Sequence, residues 1–581
     1  MDKDWRKNLK KGEVYTGRVL YADFPNKAVV EPIAKVDKGD LSANDVVIAN
    51  ASFIPMGEEE PSRVIVKNSI PGQEVSFMVN KKKHGKCEGR LLEVIKKADS
   101  EINEACPHFG NCGGCVYQTV DYNTQLEMKR EQVKKLIAAV AKTDYEFEGI
   151  LGSPKFEEYR NKMEFSFGDE FKGGSLALGL HKRNSMYDIV NVSGCKIVDK
   201  DYSKILDCVK TWATSNDLKF LGKNSHEGFL RHLLVRKAVK TKEILIDLIT
   251  TKQENHDAKI KELSDALLKL DLEGKIVGVL HTLNDSIADV VINDGTEIIY
   301  GQDFITEELL GLNFKIAAFA FFQTNSLGAE VLYSKAREYV GETKDKVIFD
   351  LYSGTGTIAQ ILAPVAKKVV GVEIVEDAVK SAKENAKLNE LDNCEFIAED
   401  VLTALDKIED KPDFIVLDPP RDGINPKALE KIIDYGVDSM VYISCKPTSL
   451  QRDLVMLQER GYKIKKVCLV DMFPGTVHVE TVCLLSKLHE AKHHVNVKVD
   501  MDELDLTSAE AKATYKEIEE WVQEHYGFHV TNLNIAQVKQ KHGIIERENY
   551  NKPKSEDSRQ PGCPEEKVKA IEEALKYFQM I

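Results

Sequence analysis

Four short apolar strands, each running into a polar residue and separated by helix-forming stretches, govern what this chain can fold into. From about residue 325 they are Val347-Ile348-Phe349-Asp350, Val369-Val370-Gly371-Val372-Glu373, Phe414-Ile415-Val416-Leu417-Asp418 and Met440-Val441-Tyr442-Ile443-Ser444. Apolar runs without alternation belong to strands buried on both faces, and intervening helices make the sheet parallel. Such a doubly wound α/β sheet binds ligands outside the carboxyl ends of its strands. Asp350, Glu373, Asp418 and Ser444 therefore mark where a site should form.

The remainder of the 581 residues exceeds one core, since roughly 150 residues make a domain. Residues 8–97 are strand-like, with Val14–Leu20 and Glu74–Val79 bounded by Gly and Pro turns, and predict a small β-barrel. Residues 99–320 mix alternating strands such as Glu243–Ile249 with helices, one at about Gln125–Val140, and predict an α+β central region. Residues 321–487 hold the Rossmann-like parallel sheet. Residues 488–581 read as an acidic helical appendage. Its first helix is expected to start at the capping box Thr507-Ser508-Ala509-Glu510, to place Tyr515, Ile518, Val522 and Tyr526 on one face, and to stop at Gly527. Asn532–Gly543 then forms a second helical arm, with a helix-turn-helix-like fold as the alternative.

A content of 43% hydrophobic and 30% charged residues fits a folded soluble protein and excludes global disorder. No secretory leader follows Met1, and nowhere do about 18 uncharged apolar residues run together. A cytoplasmic protein without a membrane partner is expected. The net charge of −14 weighs against a nucleic-acid partner unless cations cluster. Two runs do, Lys81–Lys86 and Arg231–Lys237, and either can follow phosphates, although a solvated face is the plainer reading of each.

Asp350-Leu351-Tyr352-Ser353-Gly354-Thr355-Gly356 follows the first strand, and Glu373 ends the second. A Gly-x-Gly turn admits a ligand close to the backbone, and an acid on the next strand can accept from ribose hydroxyls. The third glycine of a dinucleotide fingerprint is missing, with Ala359 in its neighbourhood, so S-adenosylmethionine fits better than NAD. Asp400, after the third strand, either contacts the adenine or caps a helix.

Asp418-Pro419-Pro420 stiffens the loop at the catalytic strand end. Arg421 stands where an enzyme methylating exocyclic amines carries an aromatic residue. Cys445 supplies a different chemistry: a thiolate adding to C6 of uracil makes C5 nucleophilic, and a base must then remove the C5 proton. Glu480 is the expected base, ahead of His478. Without these partners Cys445 would read as a buried packing cysteine.

Cys106, Cys112 and Cys115 lie in one Gly-rich loop, and Cys195 follows later among the eleven cysteines. Four thiolates can hold zinc or a four-iron cluster, and spacing leaves both open.

Phe321-Phe322-Gln323-Thr324-Asn325, Asp418-Pro419-Pro420-Arg421 and Ser444-Cys445-x-Pro447 with Arg452-Asp453 together resemble the RNA uracil-C5 methyltransferases, over about residues 10–487. Pro71-Gly72-Gln73-Glu74-Val75, followed by the lysine run, resembles the TRAM module, an oligonucleotide-binding-type barrel, with an insertion at about Ala34–Glu60. The resemblance implies Cys445 as nucleophile, Glu480 as proton acceptor, and Asp418 beside both. It places Gln323, Tyr352, Glu373 and Asp418 around cofactor and target base, with Gly354 in the cofactor turn. Lys446 departs from the Asn or Asp usual between Cys and Pro, and a cation there could lower the thiol pKa. The ribosomal branch of the family carries a 4Fe-4S cluster on this cysteine pattern, so the resemblance implies one on Cys106, Cys112, Cys115 and Cys195. An enzyme acting as a monomer on a flipped uridine of 23S ribosomal RNA is therefore expected, with transfer RNA as the alternative substrate and a non-catalytic iron–sulfur RNA-binding protein as the alternative function.

Overall fold

The computed structural model describes residues 9–36, 63–83, 86–103, 106–288, 290–487, 515–542 and 563–578. The chain divides into two compact units, 1–489 and 490–581. No helix among the described residues is long and apolar enough to cross a membrane.

The first unit begins with β1 (Val14–Asp23), β2 (Lys27–Val36), β3 (Val64–Lys67), β4 (Glu74–Lys83) and β5 (Lys86–Lys96). They close into a barrel in the order β1-β2-β3-β5-β4, with β3 and β5 parallel. Alternation sends Tyr15, Val30, Val64, Val75 and Phe77 inward, none more than 1% exposed. The insertion leaves β2 at its start, and most of it lies outside the described residues, as do His84 and Gly85 of the lysine run. Next come α1 (Tyr122–Ala138) and β6 (Glu146–Leu151).

The central region contains β7 (Lys162–Asp169), β8 (Leu176–His181), β9 (Ile189–Asn191), α2 (Lys200–Ser215), β10 (Leu230–Lys237), β11 (Glu243–Thr250), α3 (Asp257–Leu267), β12 (Lys275–Leu283) and β13 (Thr296–Gly301). Its sheet has the order β13-β12-β11-β10-β7-β8-β9. Tyr202, Ile205 and Val209 of α2 and Ile260 and Leu263 of α3 bury one face.

The run Arg231–Lys237, read above as a solvated face or alternatively a phosphate contact, is neither. It belongs to β10, the middle strand of this sheet, and every residue in the strand is buried. Lys237 pairs with Asp199 and Asp201, both at 2.7 Å. The Arg236 guanidinium donates to the carbonyls of Ala318 and Ala320. These cations are structural ties, because a buried charge persists only when paired or fully hydrogen-bonded.

A hairpin of β14 (Phe304–Leu309) and β15 (Leu312–Ala317) leads into α4 (Ser326–Val340), β16 (Thr343–Leu351), α5 (Thr357–Leu362), β17 (Ala366–Glu373), α6 (Glu376–Leu388) and β18 (Cys394–Ala398). The chain continues through α7 (Val401–Ala404), β19 (Phe414–Leu417), α8 (Pro426–Asp434), β20 (Ser439–Ser444), α9 (Pro447–Glu459), β21 (Tyr462–Val470) and β22 (Glu480–Lys487). The sheet order is β18-β17-β16-β19-β20-β22-β21-β6. The first five strands are parallel, β22 is antiparallel to both neighbours, and β6 joins β21 in parallel. Thus Glu146–Leu151, read from the sequence with the central region, completes the Rossmann-like sheet. None of its six residues is fully buried, so it lacks the apolar run that marks its neighbours.

A buried ion pair joins α1 to the segment after β21. Lys129 Nζ lies 2.7 Å from Asp471 Oδ1, with the two side chains 1% and 0% exposed, and also donates to the Phe473 carbonyl at 3.1 Å.

In the second unit, α10 (Tyr515–Tyr526), α11 (Asn532–Lys541) and α12 (Glu565–Tyr577) bury Ile518, Val522, Ile535, Val538, Ile571 and Leu575. The predicted start at Thr507–Glu510 lies outside the described residues. Thr531 and Asn534 form a reciprocal capping box for α11. The two expected arms thus pack with a third helix, and Tyr526 at the end of α10 is 39% exposed.

Removing one partner of a buried pair strands the other charge, a loss of about 3–5 kcal/mol. Lys129→Met is accordingly expected to lower the melting temperature of the first unit in calorimetry, while the conservative Lys129→Arg loses less.

Candidate active site

The order of the parallel strands reverses between β16 and β19, opening a crevice beyond their carboxyl ends. Asp418 N–H donates across it to the Leu351 carbonyl at 3.3 Å. After β16 the backbone turns sharply through left-handed Tyr352, φ 68°, and Gly354, φ 54°. Gly356 is left-handed at φ 72°, and a Cβ there would stand 2.5 Å from the Phe396 ring. No other residue fits that position without displacing the ring.

The Glu373 carboxylate accepts from Gly354 N–H and Val375 N–H, each at 3.0 Å, and so is fixed at the glycine turn. Phe321 and Ile374, 69% and 61% exposed, flank this turn with apolar surface. Asp350 is wholly buried and accepts from Ala359 N–H at 2.9 Å. Burial and the neighbouring Asp418 push its pKa well above the usual carboxylate range. Asp400 caps α7, accepting from Leu402 N–H at 2.9 Å, which realises the plainer of its two readings.

Antiparallel pairing of β20 with β22 sets Ser444 opposite Thr481, bringing Glu480 beside Cys445. Burial first, and then Asp418, raise the Glu480 pKa to about 8, against the pull of Arg421. Burial raises Asp418 to about 7. The Cys445 thiol is pushed to about 11 by burial, Glu480 and Asp418, while a hydrogen bond from Arg421 acts in the opposite direction. The cation at the thiol is therefore Arg421. Lys446 instead reaches Asp422, 3.5 Å away, on an exposed surface.

Tyr333 of α4 completes this cluster. Burial raises its pKa strongly, Asp418 and Glu480 act in the same sense, and Gln323 hydrogen-bonds its side chain. The sequence does not single it out, because Leu332, Ala336 and Val340 make its helix face read as ordinary core.

Side chains around the cluster hold its loops. Ser449 Oγ donates to the Arg421 carbonyl at 2.7 Å, Arg452 to that of Asp422 at 2.9 Å, and Asp453 accepts from Ile424 N–H at 2.9 Å. A Cβ on Gly423, φ 78°, would meet Arg452 Nη2 at 2.5 Å, so this clamp requires glycine. Asn161 donates to the Gln323 carbonyl at 3.0 Å, and Asn325 to that of Met472 at 3.0 Å.

Cys106, Cys112, Cys115 and Cys195 line one small cavity together with His108 and Leu180. None of the four is in a disulfide. Gly114 N–H approaches Cys112 Sγ at 3.4 Å, and Gln118 Nε2 approaches Cys115 Sγ at 3.5 Å. Cys106 and Cys195 hydrogen-bond to one another. Among the described residues, no three His, Cys, Asp or Glu side chains are arranged around a single ion. The loop also reaches the active site: Val116 and Tyr117 N–H both donate to the Gly475 carbonyl at 2.9 Å, and Gly475 N–H donates to Gln125 at 2.8 Å.

The family model described as tRNA (Uracil-5-)-methyltransferase matches residues 121–488. An uncharacterized RNA methyltransferase of Caldanaerobacter subterraneus is 50% identical, aligned over 78% of this chain and 99% of its own length. One from Clostridium tetani is 48% identical, over 75% and 95%. The crystal structure of Pyrococcus abyssi tRNA (uracil-54, C5)-methyltransferase in complex with S-adenosyl-L-homocysteine shares the fold, with a TM-score of 0.60 at 24% identity over 81% of this chain and 100% of that one. The matched span takes in the central region, the complete eight-stranded sheet and the Cys445 cluster, and the chain belongs to the tRNA (uracil-5-)-methyltransferase family.

Proposed function

We propose that the chain transfers a methyl group from S-adenosylmethionine to C5 of a uridine in RNA through a covalent Cys445 adduct. The observation that carries this reading is the convergence of Cys445, Glu480, Asp418 and Arg421 at the sheet's reversal point. The apolar flanks Phe321 and Ile374 and the anchored Glu373 fit an adenosine moiety. Gln323, Tyr352, Gly354, Glu373 and Asp418 would hold the cofactor, with Asp400 contributing beside its capping bond. When bound, the cofactor supplies an electrophilic sulfonium methyl.

Cys445 releases its proton to solvent water as its sulfur bonds to C6, and the C5–C6 π electrons pass to C5 and the O4 carbonyl. Arg421 stabilises the thiolate, and the start of α9 adds a favourable dipole. Once C5 carries the methyl, Glu480 accepts the C5 proton, the double bond re-forms and the C6–S bond breaks. Asp418 and Gln323 orient the uracil edge.

We propose further that the four cysteines bind a 4Fe-4S cluster. The four cysteines line one cavity and make a four-thiolate donor set that either a 4Fe-4S cluster or zinc accepts; the resemblance to the ribosomal branch is what favours the cluster. The cysteine set supports 23S ribosomal RNA as the substrate of a cytoplasmic monomer. Transfer RNA is the second reading, favoured by what the Pyrococcus abyssi structure is named for. The barrel's strand order supports its assignment as a TRAM-like, oligonucleotide-binding module.

Cys445→Ala should abolish transfer of labelled methyl to unmodified ribosomal and transfer RNA transcripts, and abolish adducts with 5-fluorouridine RNA. Glu480→Gln should form an adduct yet release product at least about 100-fold more slowly, so that protein–RNA conjugates accumulate on ordinary RNA. Turnover by the Cys445→Ala protein would exclude the thiolate route.

Glu480 accepts a proton only as carboxylate. With its pKa at about 8 and the Cys445 thiol at about 11, turnover is expected to climb from pH 6.5 to pH 9, measured at saturating RNA and cofactor.

Anaerobically purified protein should contain about four iron and four sulfide per chain and lose its visible absorption in the Cys112→Ser variant. Stoichiometric zinc without sulfide would replace the cluster assignment.

A further inference from the structure

A second cavity, of about 590 Å³, lies in the central sheet region, away from the Cys445 crevice. Its floor comes from β7, β8 and β10 through Ser166, His181 and His232, and loops carrying Lys172, Tyr187 and Lys223 rise around it. Volumes of this order admit a nucleotide-sized ligand. Neighbouring residues of β8 face opposite ways: Leu180 lines the cysteine cavity and His181 lines this one. The cysteine loop is stitched to the same strand end, with Gly113 N–H donating to the His181 carbonyl at 3.1 Å. A filled cysteine site would thus stiffen one wall of the second cavity.

The lining has the chemistry of a single-stranded RNA contact. Tyr187, 60% exposed, offers a ring face for stacking, and Ile287, 82% exposed, adds an apolar rim. Lys223 stands 6.0 Å from the centre of the Tyr187 ring, placing a cation beside the stacking surface. Lys172 provides a second cation, and His181 and His232 add imidazoles to the floor, with His232 Nδ1 3.4 Å from Ser166 Oγ. Of the two rim carboxylates, Asp169 accepts from Gly173 N–H at 2.8 Å, and Asp188 is the other. The rim is built: Arg231 donates to the carbonyls of Asn284, Ser286 and Ala288, fixing the loop that carries Ile287. Aromatic faces with flanking cations are the usual means of holding unpaired nucleotides.

The cavity is also tied to the catalytic crevice. Asn161, which bonds the Gln323 carbonyl, immediately precedes β7. Five residues on, Ser166 lies roughly 17 Å away along the strand, a span a few nucleotides can bridge. We infer that this cavity binds an unpaired nucleotide of the substrate RNA, a few positions from the uridine that enters the Cys445 site. This rests on the RNA-methylation reading above.

Tyr187→Ala, Lys172→Glu and Lys223→Glu alter exposed side chains and should leave the fold intact. Binding of unmodified ribosomal and transfer RNA transcripts by the full chain should weaken at least about fivefold in each, given about 1–3 kcal/mol per stacked base. S-adenosylhomocysteine affinity and turnover at saturating RNA should stay near wild type. RNA affinity within twofold of wild type in all three variants would overturn the inference. If wild type bound RNA, lost affinity in these variants and yet transferred no methyl, the proposed reaction would fail while this site stood.

Discussion

The Lys129–Asp471 pair fixes the one segment on which the chemistry turns. Asp471 begins the loop that ends at Glu480, and that loop has little regular structure to define its path. The ion pair holds its start, the cysteine loop and Gln125 hold its middle at Gly475, and β22 takes over at Glu480. Within a low-dielectric interior such a pair offers little net stability, yet losing one partner is costly. The arrangement therefore makes the loop path unforgiving, which suits the base proposed at Glu480.

The pKa values of Asp418 and Glu480 are held near neutrality, at about 7 and about 8. Three carboxyls, Asp350, Asp418 and Glu480, share a buried space: desolvation raises the pKa of each, and the charge of Asp418 adds to it at Asp350 and Glu480. The same crowding keeps the Cys445 thiol protonated, with Arg421 as the counterweight. An unactivated thiol resists stray oxidation and alkylation. In the proposed reaction, activation awaits the substrate, whose developing charge Arg421 would meet.

The position of much of this cluster is legible in the sequence because parallel strands end in polar residues at one edge of the sheet. Asp418, Cys445, Glu373 and the glycine turn announce themselves in that way. Tyr333 does not, since a tyrosine between helical core residues carries no periodic signal. Arg231–Lys237 misleads for a related reason: its partners, Asp199, Asp201 and carbonyls from Asn284 to Ala320, lie far away in sequence. Strand β6 escapes notice because an edge strand need not be apolar, and the contact of the cysteine loop with Gly475 consists of backbone bonds that no side chain advertises.

The parallel pairing of β6 with β21 also sets the timetable of folding. Glu146 finds its partner only when Lys466 has been made, so during synthesis the early strand must wait while the whole central region and most of the later sheet emerge. Pairings of such long sequence separation close slowly. The eight-stranded sheet consequently cannot be completed until nearly all of the first unit has emerged. A catalytic fragment begun at residue 321 would leave the β21 edge bare, inviting another strand to occupy it.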